Sequence, residues 1–92
     1  MHTPVKIRNR VTEKEAIQFD ANNEEFFWQW LGDSYLRSTD HGDSEGVTTT
    51  ITIRTQHGEA DVLPGDWIIK GLNGEFYPCK PEIFEKSYEV FE

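Results

Sequence analysis

Several side chains in this sequence are chemically capable, and each has a structural reading beside the chemical one. Asp66 follows Pro64-Gly65, where a carboxylate held on a tight turn could serve as an acid or base. An Asp after a Pro-Gly turn also hydrogen-bonds local backbone and pins the next strand, and that structural role is the one expected. Cys79 lies beside Lys80, a neighbour able to lower a thiol pKa. No nucleophile motif surrounds it, and His2, His41 and His57 are remote in sequence, so a free, at least half-buried thiol is expected. Asp40, His41, Asp43 and Glu45 could meet a cation, but they lack the spacing of a calcium-binding hand. His41 and His57 are too few for a zinc site, so a solvated loop is expected. Neither a metal nor a cofactor is expected.

Gly71, Asn73 and Gly74 do not form a phosphate cradle, because no P-loop lysine or dinucleotide fingerprint follows. Asn73-Gly74 is instead a hairpin signal. A two-residue turn there would set Lys70 opposite Tyr77, on one face with Lys80 near. Such a pair could hold a small anion or a nucleotide base; its ordinary reading is a surface cation–aromatic contact. Trp28 falls off the apolar stripe of its helix, so it either packs under the following loop or meets a partner.

The elements that position these residues follow from hydropathy patterning. Residues 5–19 read as a strand, with Thr12-Glu13-Lys14-Glu15 as a turn or bulge within it. Asp20-Ala21-Asn22-Asn23 offers helix caps, and Glu24 and Glu25 suit a first helical turn. Phe26, Phe27, Trp30 and Leu31 share a helical face, and Gly32 can end the helix, which predicts one near 22–31. Residues 33–46 are polar and contain glycine, as in a flexible loop, with Tyr35 and Leu36 either anchoring its start or forming a short strand. Val47 to Thr55 alternates β-branched residues on both faces and turns through Gln56-His57-Gly58 into Glu59–Leu63, a hairpin. Leu63-Pro64-Gly65-Asp66 has the type II turn pattern. Strands at 67–70 and 75–77 follow, then a helix near 81–87 opened by Pro81, with Ile83, Phe84 and Tyr88 as its buried face. Glu89-Val90-Phe91 closes the chain as a strand. The fold class is α+β: about six strands in a small, mostly antiparallel sheet curled like a half-barrel, with two short helices.

Ninety-two residues suit a single domain. At 13% aromatic, the chain is not expected to be disordered in bulk. One cysteine excludes an internal disulfide framework. The first residues lack the apolar stretch of a signal peptide, so an intracellular protein away from the membrane is expected. The net charge is −8, and it is uneven: from Glu15 onward five basic residues face 16 acidic ones, a net of −11. Such a body repels nucleic-acid phosphates, so nucleic-acid binding is not expected. A basic partner protein suits it better, although excess acid also serves plain solubility.

The C-terminal third has a familiar outline. Pro64-Gly65-Asp66-Trp67-Ile68-Ile69-Lys70-Gly71 precedes Gly74-Glu75-Phe76-Tyr77-Pro78-Cys79-Lys80-Pro81, then Ile83-Phe84 and Tyr88. This resembles a family of small phage and prophage proteins named for a Pro-Gly-Asp-Tyr-Gly signature (PGDYG-like). The opening Lys6 to Arg10 and Ala16-Ile17-Gln18-Phe19 resembles the family's basic strand and Ala-x-Gln-aromatic segment. The resemblance is strong over 60–91, fair over 5–20 and only in outline over 22–55. Trp67 stands where Tyr is commoner. The resemblance implies a phage or prophage origin and a place in the cytoplasm of an infected or lysogenic bacterium, but brings no activity with it.

No set of acid, base and nucleophile emerges, so an enzyme is not expected. The leading expectation is a non-enzymatic binding protein that occupies a host protein, in the manner of a counter-defence inhibitor. Its contacts would be Trp28, Glu24, Glu25, Asp40, Asp43 and Glu45. The alternative is an oligomeric sponge for an anionic nucleotide, using Arg54, Lys70, Tyr77 and Lys80. A virion or assembly accessory protein is a third reading.

Overall fold

The computed structural model describes residues 4–9, 12–20, 22–43 and 46–91. Among the described residues there are eight strands and two α-helices, an α+β fold in which every strand pairing is antiparallel. The strands are β1 (Val5–Asn9), β2 (Thr12–Gln18), β3 (Tyr35–Asp43), β4 (Gly46–Thr55), β5 (Gly58–Val62), β6 (Trp67–Lys70), β7 (Phe76–Cys79) and β8 (Glu89–Phe91). Helix α1 is Glu24–Leu31, and α2 is Pro81–Ser87. A five-stranded sheet runs β7-β6-β2-β1-β8, and a three-stranded sheet runs β3-β4-β5. The expected count of about six strands in one sheet therefore falls short.

Two of the added strands come from misread polar segments. The basic opening and the Ala16–Phe19 segment form a hairpin, in which Ile7 faces Lys14 and Val5 faces Ala16. Thr12 to Glu15, expected as a turn or bulge between two strand pieces, is the first half of β2. Residues 35–43, expected as loop with an anchor or a short strand at Tyr35 and Leu36, form the nine-residue β3. Neither segment shows strong apolar alternation, because part of each faces solvent or a charged neighbour rather than a core.

Register explains how both faces of the larger sheet are covered. Ile17 lies opposite Ile68, and Ala16 opposite Ile69, so successive residues on β2 and β6 point to opposite faces. One face carries Ile17, Phe19, Ile68 and Phe76 beneath Phe27 and Leu31 of α1 and Ile51, Ile53 and Val62 of the smaller sheet. The other face carries Ile7, Ala16 and Ile69 beneath Phe84 of α2. The larger sheet is thus the middle layer, and β6 is apolar on both sides because both sides are covered.

Helix α1 fits the expected stripe, with Phe27 and Leu31 buried and Phe26 and Trp30 packed at the margin. Asn23 precedes it but makes no side-chain cap. Its buried amide instead donates to the Gln18 carbonyl at 2.8 Å and accepts from the Asp20 N–H at 3.1 Å, tying the end of β2 to the helix entry. On α2, Phe84 is buried as expected, but Ile83 is 55% exposed rather than part of the buried face.

The β6–β7 connection corrects another expectation. Lys70 faces Phe76 and Ile69 faces Tyr77, so the loop between Gly71 and Glu75 has three residues, not two. Gly71 N–H donates to the Glu75 carbonyl at 2.7 Å, and Gly74 adopts φ +83°, the left-handed residue such a loop needs. One extra loop residue moves Tyr77 to the face opposite Lys70.

Candidate functional site

The β3–β4 hairpin joins two environments. Near its base, Ile51 and Ile53 are fully buried, and Thr50 and Thr52 nearly so. Toward the turn, residues 37–42 and 46–48 are exposed, and Val47 is 70% accessible. His41 faces Thr48, Asp40 faces Thr49 and Asp43 faces Gly46, so the pairing continues out to the turn. This outer half is a paired arm with solvent on both faces, on a molecule 45 Å long and 25 Å across.

Side-chain contacts cross-link the strands of the hairpin. The Thr49 hydroxyl donates to Asp40 Oδ1 at 2.8 Å. The Arg37 guanidinium donates to Glu59 Oε1 at 2.8 Å, bridging β3 to β5 across β4, and this carboxylate pushes the guanidinium pKa up. Register slips between Tyr35 and Arg37, a bulge that turns the arm relative to its base.

The base is braced by α1. Trp28 is 54% exposed and meets Tyr35 edge-to-face, with centroids 6.3 Å apart. The Tyr35 hydroxyl donates to Glu24 Oε2 at 2.7 Å. Partial burial, then the Glu24 hydrogen bond and charge, push the Tyr35 pKa up. The six residues expected to contact a partner therefore divide. Trp28 and Glu24 gather at the base with Tyr35, and Glu25 is exposed on the same helix. Asp40 lies on the arm, roughly 17 Å beyond Tyr35 at strand spacing. Asp43 belongs to β3, and Glu45 falls outside the described residues. Trp28 does not pack under a 33–46 loop, because Tyr35–Asp43 is a strand, and Trp28 meets Tyr35, its first residue.

The other expected set, Arg54, Lys70, Tyr77 and Lys80, has separate anchors. Lys80 Nζ lies 3.0 Å from Asp66 Oδ2. Tyr77 OH accepts from Lys14 Nζ at 2.8 Å. Lys70 stands over the Phe76 ring at 5.9 Å. Arg54 is exposed on β4, in the other sheet. The cation of the expected cation–aromatic pair with Tyr77 is Lys14, not Lys70. Sequence reasoning missed this contact because Lys14 was assigned to a turn.

Asp66 holds the Pro64-Gly65 turn together, as expected. It is 4% exposed, and Oδ2 accepts from the Leu63 N–H at 3.0 Å as well as from Lys80. The turn is also tied to β2, with Phe19 N–H donating to the Asp66 carbonyl at 2.8 Å and Gly65 N–H to the Phe19 carbonyl at 2.6 Å. Gly65 has φ +98°, as the third position of a type II turn requires. Lys80 is drawn to Asp66 at 3.0 Å, and burial, then the Asp66 charge, push the Cys79 thiol pKa up. His41 and His57 lie toward opposite ends of β4, roughly 25 Å apart at strand spacing, too far to share an ion. Among the described residues, no three His, Cys, Asp or Glu side chains gather into a metal site, and no helix is long and apolar enough to cross a membrane.

The chain matches no family model, no curated protein and no solved structure.

Proposed function

We propose that this chain is a small, non-enzymatic binding protein of phage or prophage origin that docks on a basic surface of a bacterial host protein in the cytoplasm. Inhibition of a defence protein is the form this activity takes. The phage origin rests on the resemblance of the 60–91 segment. The docking mode rests on the β3–β4 arm, whose outer half stands in solvent on both faces. A polar hairpin held in register beyond the core adds little to folding. Its reach, with Asp40 and Asp43 on β3 and Glu45 two residues further along the sequence, suits a basic partner. Trp28, half-exposed at the arm's base, supplies an aromatic anchor of the kind that dominates binding energy.

The test is tagged purification from bacterial cells followed by native mass spectrometry. A host protein retained in stoichiometric amount by the native chain and lost by the Asp40→Lys/Glu45→Lys variant supports the reading. Equal retention by both removes the arm from the interface. An assembly carrying a few hundred daltons of extra mass and no host protein replaces the reading with the nucleotide sponge.

A further inference from the structure

On the side of the larger sheet away from α1, helix α2 leaves an open trough of about 520 Å³. Gln18, Trp67, Pro81, Phe84, Glu85 and Tyr88 line it. Pro81, Phe84 and Glu85 recur at the spacing of one face of α2, and Tyr88, in extended backbone just past the helix end, continues the wall. The aromatic rings are ordered. Trp67 stacks on Phe84 with centroids 3.9 Å apart and planes 2° from parallel, and Tyr88 lies 5.4 Å from Phe84. Phe84 is buried, while Trp67 and Tyr88 keep part of their surface accessible. The Tyr88 ring is further fixed by the Lys14 ammonium, 5.8 Å from its centroid. Gln18 is held at the rim by its bond to the Gly65 carbonyl at 2.9 Å. Glu85 is the single charged residue of the lining, and it is exposed.

We propose that this trough is a second binding site, for an extended, proline-containing segment of a partner protein that carries an Arg or Lys opposite Glu85. The trough is open rather than enclosed, so it covers one side of a chain and cannot surround a compact ligand. A shallow site gains little apolar burial and favours a ligand that loses little entropy on binding. A polyproline II segment is already extended, and its rings lie flat on aromatic plates. The charge of Glu85, on a chain of net −8, selects a basic residue beside the prolines. The site is independent of the arm, which belongs to the sheet packed on the opposite face.

The test is a titration of the nitrogen-15-labelled full chain with the capped peptide Pro-Pro-Leu-Pro-Pro-Arg, read by amide chemical shifts. Saturable shifts confined to Gln18, Trp67 and residues 82–88 are expected. Glu85→Lys, an exposed change that leaves the amide spectrum dispersed, weakens this peptide about fivefold and strengthens the version ending in Glu by a similar factor. No saturable shift at millimolar peptide, shifts centred on the β3–β4 arm, or equal binding by the native and Glu85→Lys chains overturns the proposal.

Discussion

The Pro64-Gly65-Asp66 turn and the outer β3–β4 arm are both short, polar and rich in residues that invite a chemical reading. The fold treats them oppositely. At the turn, the Asp66 carboxylate is buried and serves Leu63 and Lys80, and its backbone is stitched to Phe19. On the arm, Asp40 finds its partner in the Thr49 hydroxyl across the hairpin, and both faces of the neighbouring residues meet water. Burial makes the polar groups of the turn interdependent, because each unmade bond there costs a desolvated group its partner. Exposure leaves the arm's side chains replaceable without loss of fold. The turn therefore carries stability, and the arm is free to carry recognition.

Substitutions can break or sharpen that contrast. The largest effect is expected in the core both regions depend on. Phe27 is fully buried and meets Phe19 edge-on at 5.7 Å, so Phe27→Ala should cost about 3–5 kcal/mol in urea denaturation. A cost near zero would mean that α1 is not packed on the larger sheet. Asp66→Ala should cost about 2 kcal/mol by the same measurement, since it strands the Leu63 N–H and frees Lys80. Asp66→Asn, which keeps an acceptor for Leu63, should recover part of that loss; an equal loss would assign the effect to the Lys80 pair.

Tyr88 gives the contrast a pH dependence. Burial, then its hydrogen bond with Tyr77, push its pKa up to about 12, above the ordinary tyrosine value of 10.0. The fold thus favours the neutral phenol. That contribution is complete below the unfolded-state pKa and is lost as pH rises from about 10 through about 12. Denaturation midpoints across that window should fall for the native chain and fall less for Tyr88→Phe; parallel curves would sink the assignment. The smallest effect is expected on the arm, where Asp40→Lys should change stability by no more than about 0.5 kcal/mol, whatever it does to the host-protein binding proposed for the arm. A loss of several times that size would show the arm to be structural, like the turn.

Short-range chemistry was legible in the residues alone. Pro-Gly before Asp66, β-branched alternation over Val47–Thr55 and Pro81 at a helix start each act over a few residues, and each keeps its expected role. The Asn73-Gly74 signal located its hairpin but not the loop length. Glu75 folds back so that Oε1 accepts from the Asn73 N–H at 3.1 Å, within a three-residue loop that Asn-Gly alone does not specify. The candidate site was legible as a list and not as a place. Trp28 stood out because it left its helical stripe, but nothing in the sequence set Tyr35 beside it.

The sequence by itself determined the Pro64-Gly65-Asp66 turn, the apolar stripe of α1 and the acidic balance of the chain, because those depend on side-chain type and near neighbours. Tertiary structure decided that Thr12–Glu15 and Tyr35–Asp43 are strands, since polar residues extend only when a partner strand satisfies their backbone. It also decided that Lys14, 63 residues before Tyr77, would be the cation at that hydroxyl. Contacts across such a separation depend on the register of whole strands, and register is fixed by the packing of both faces of the sheet at once.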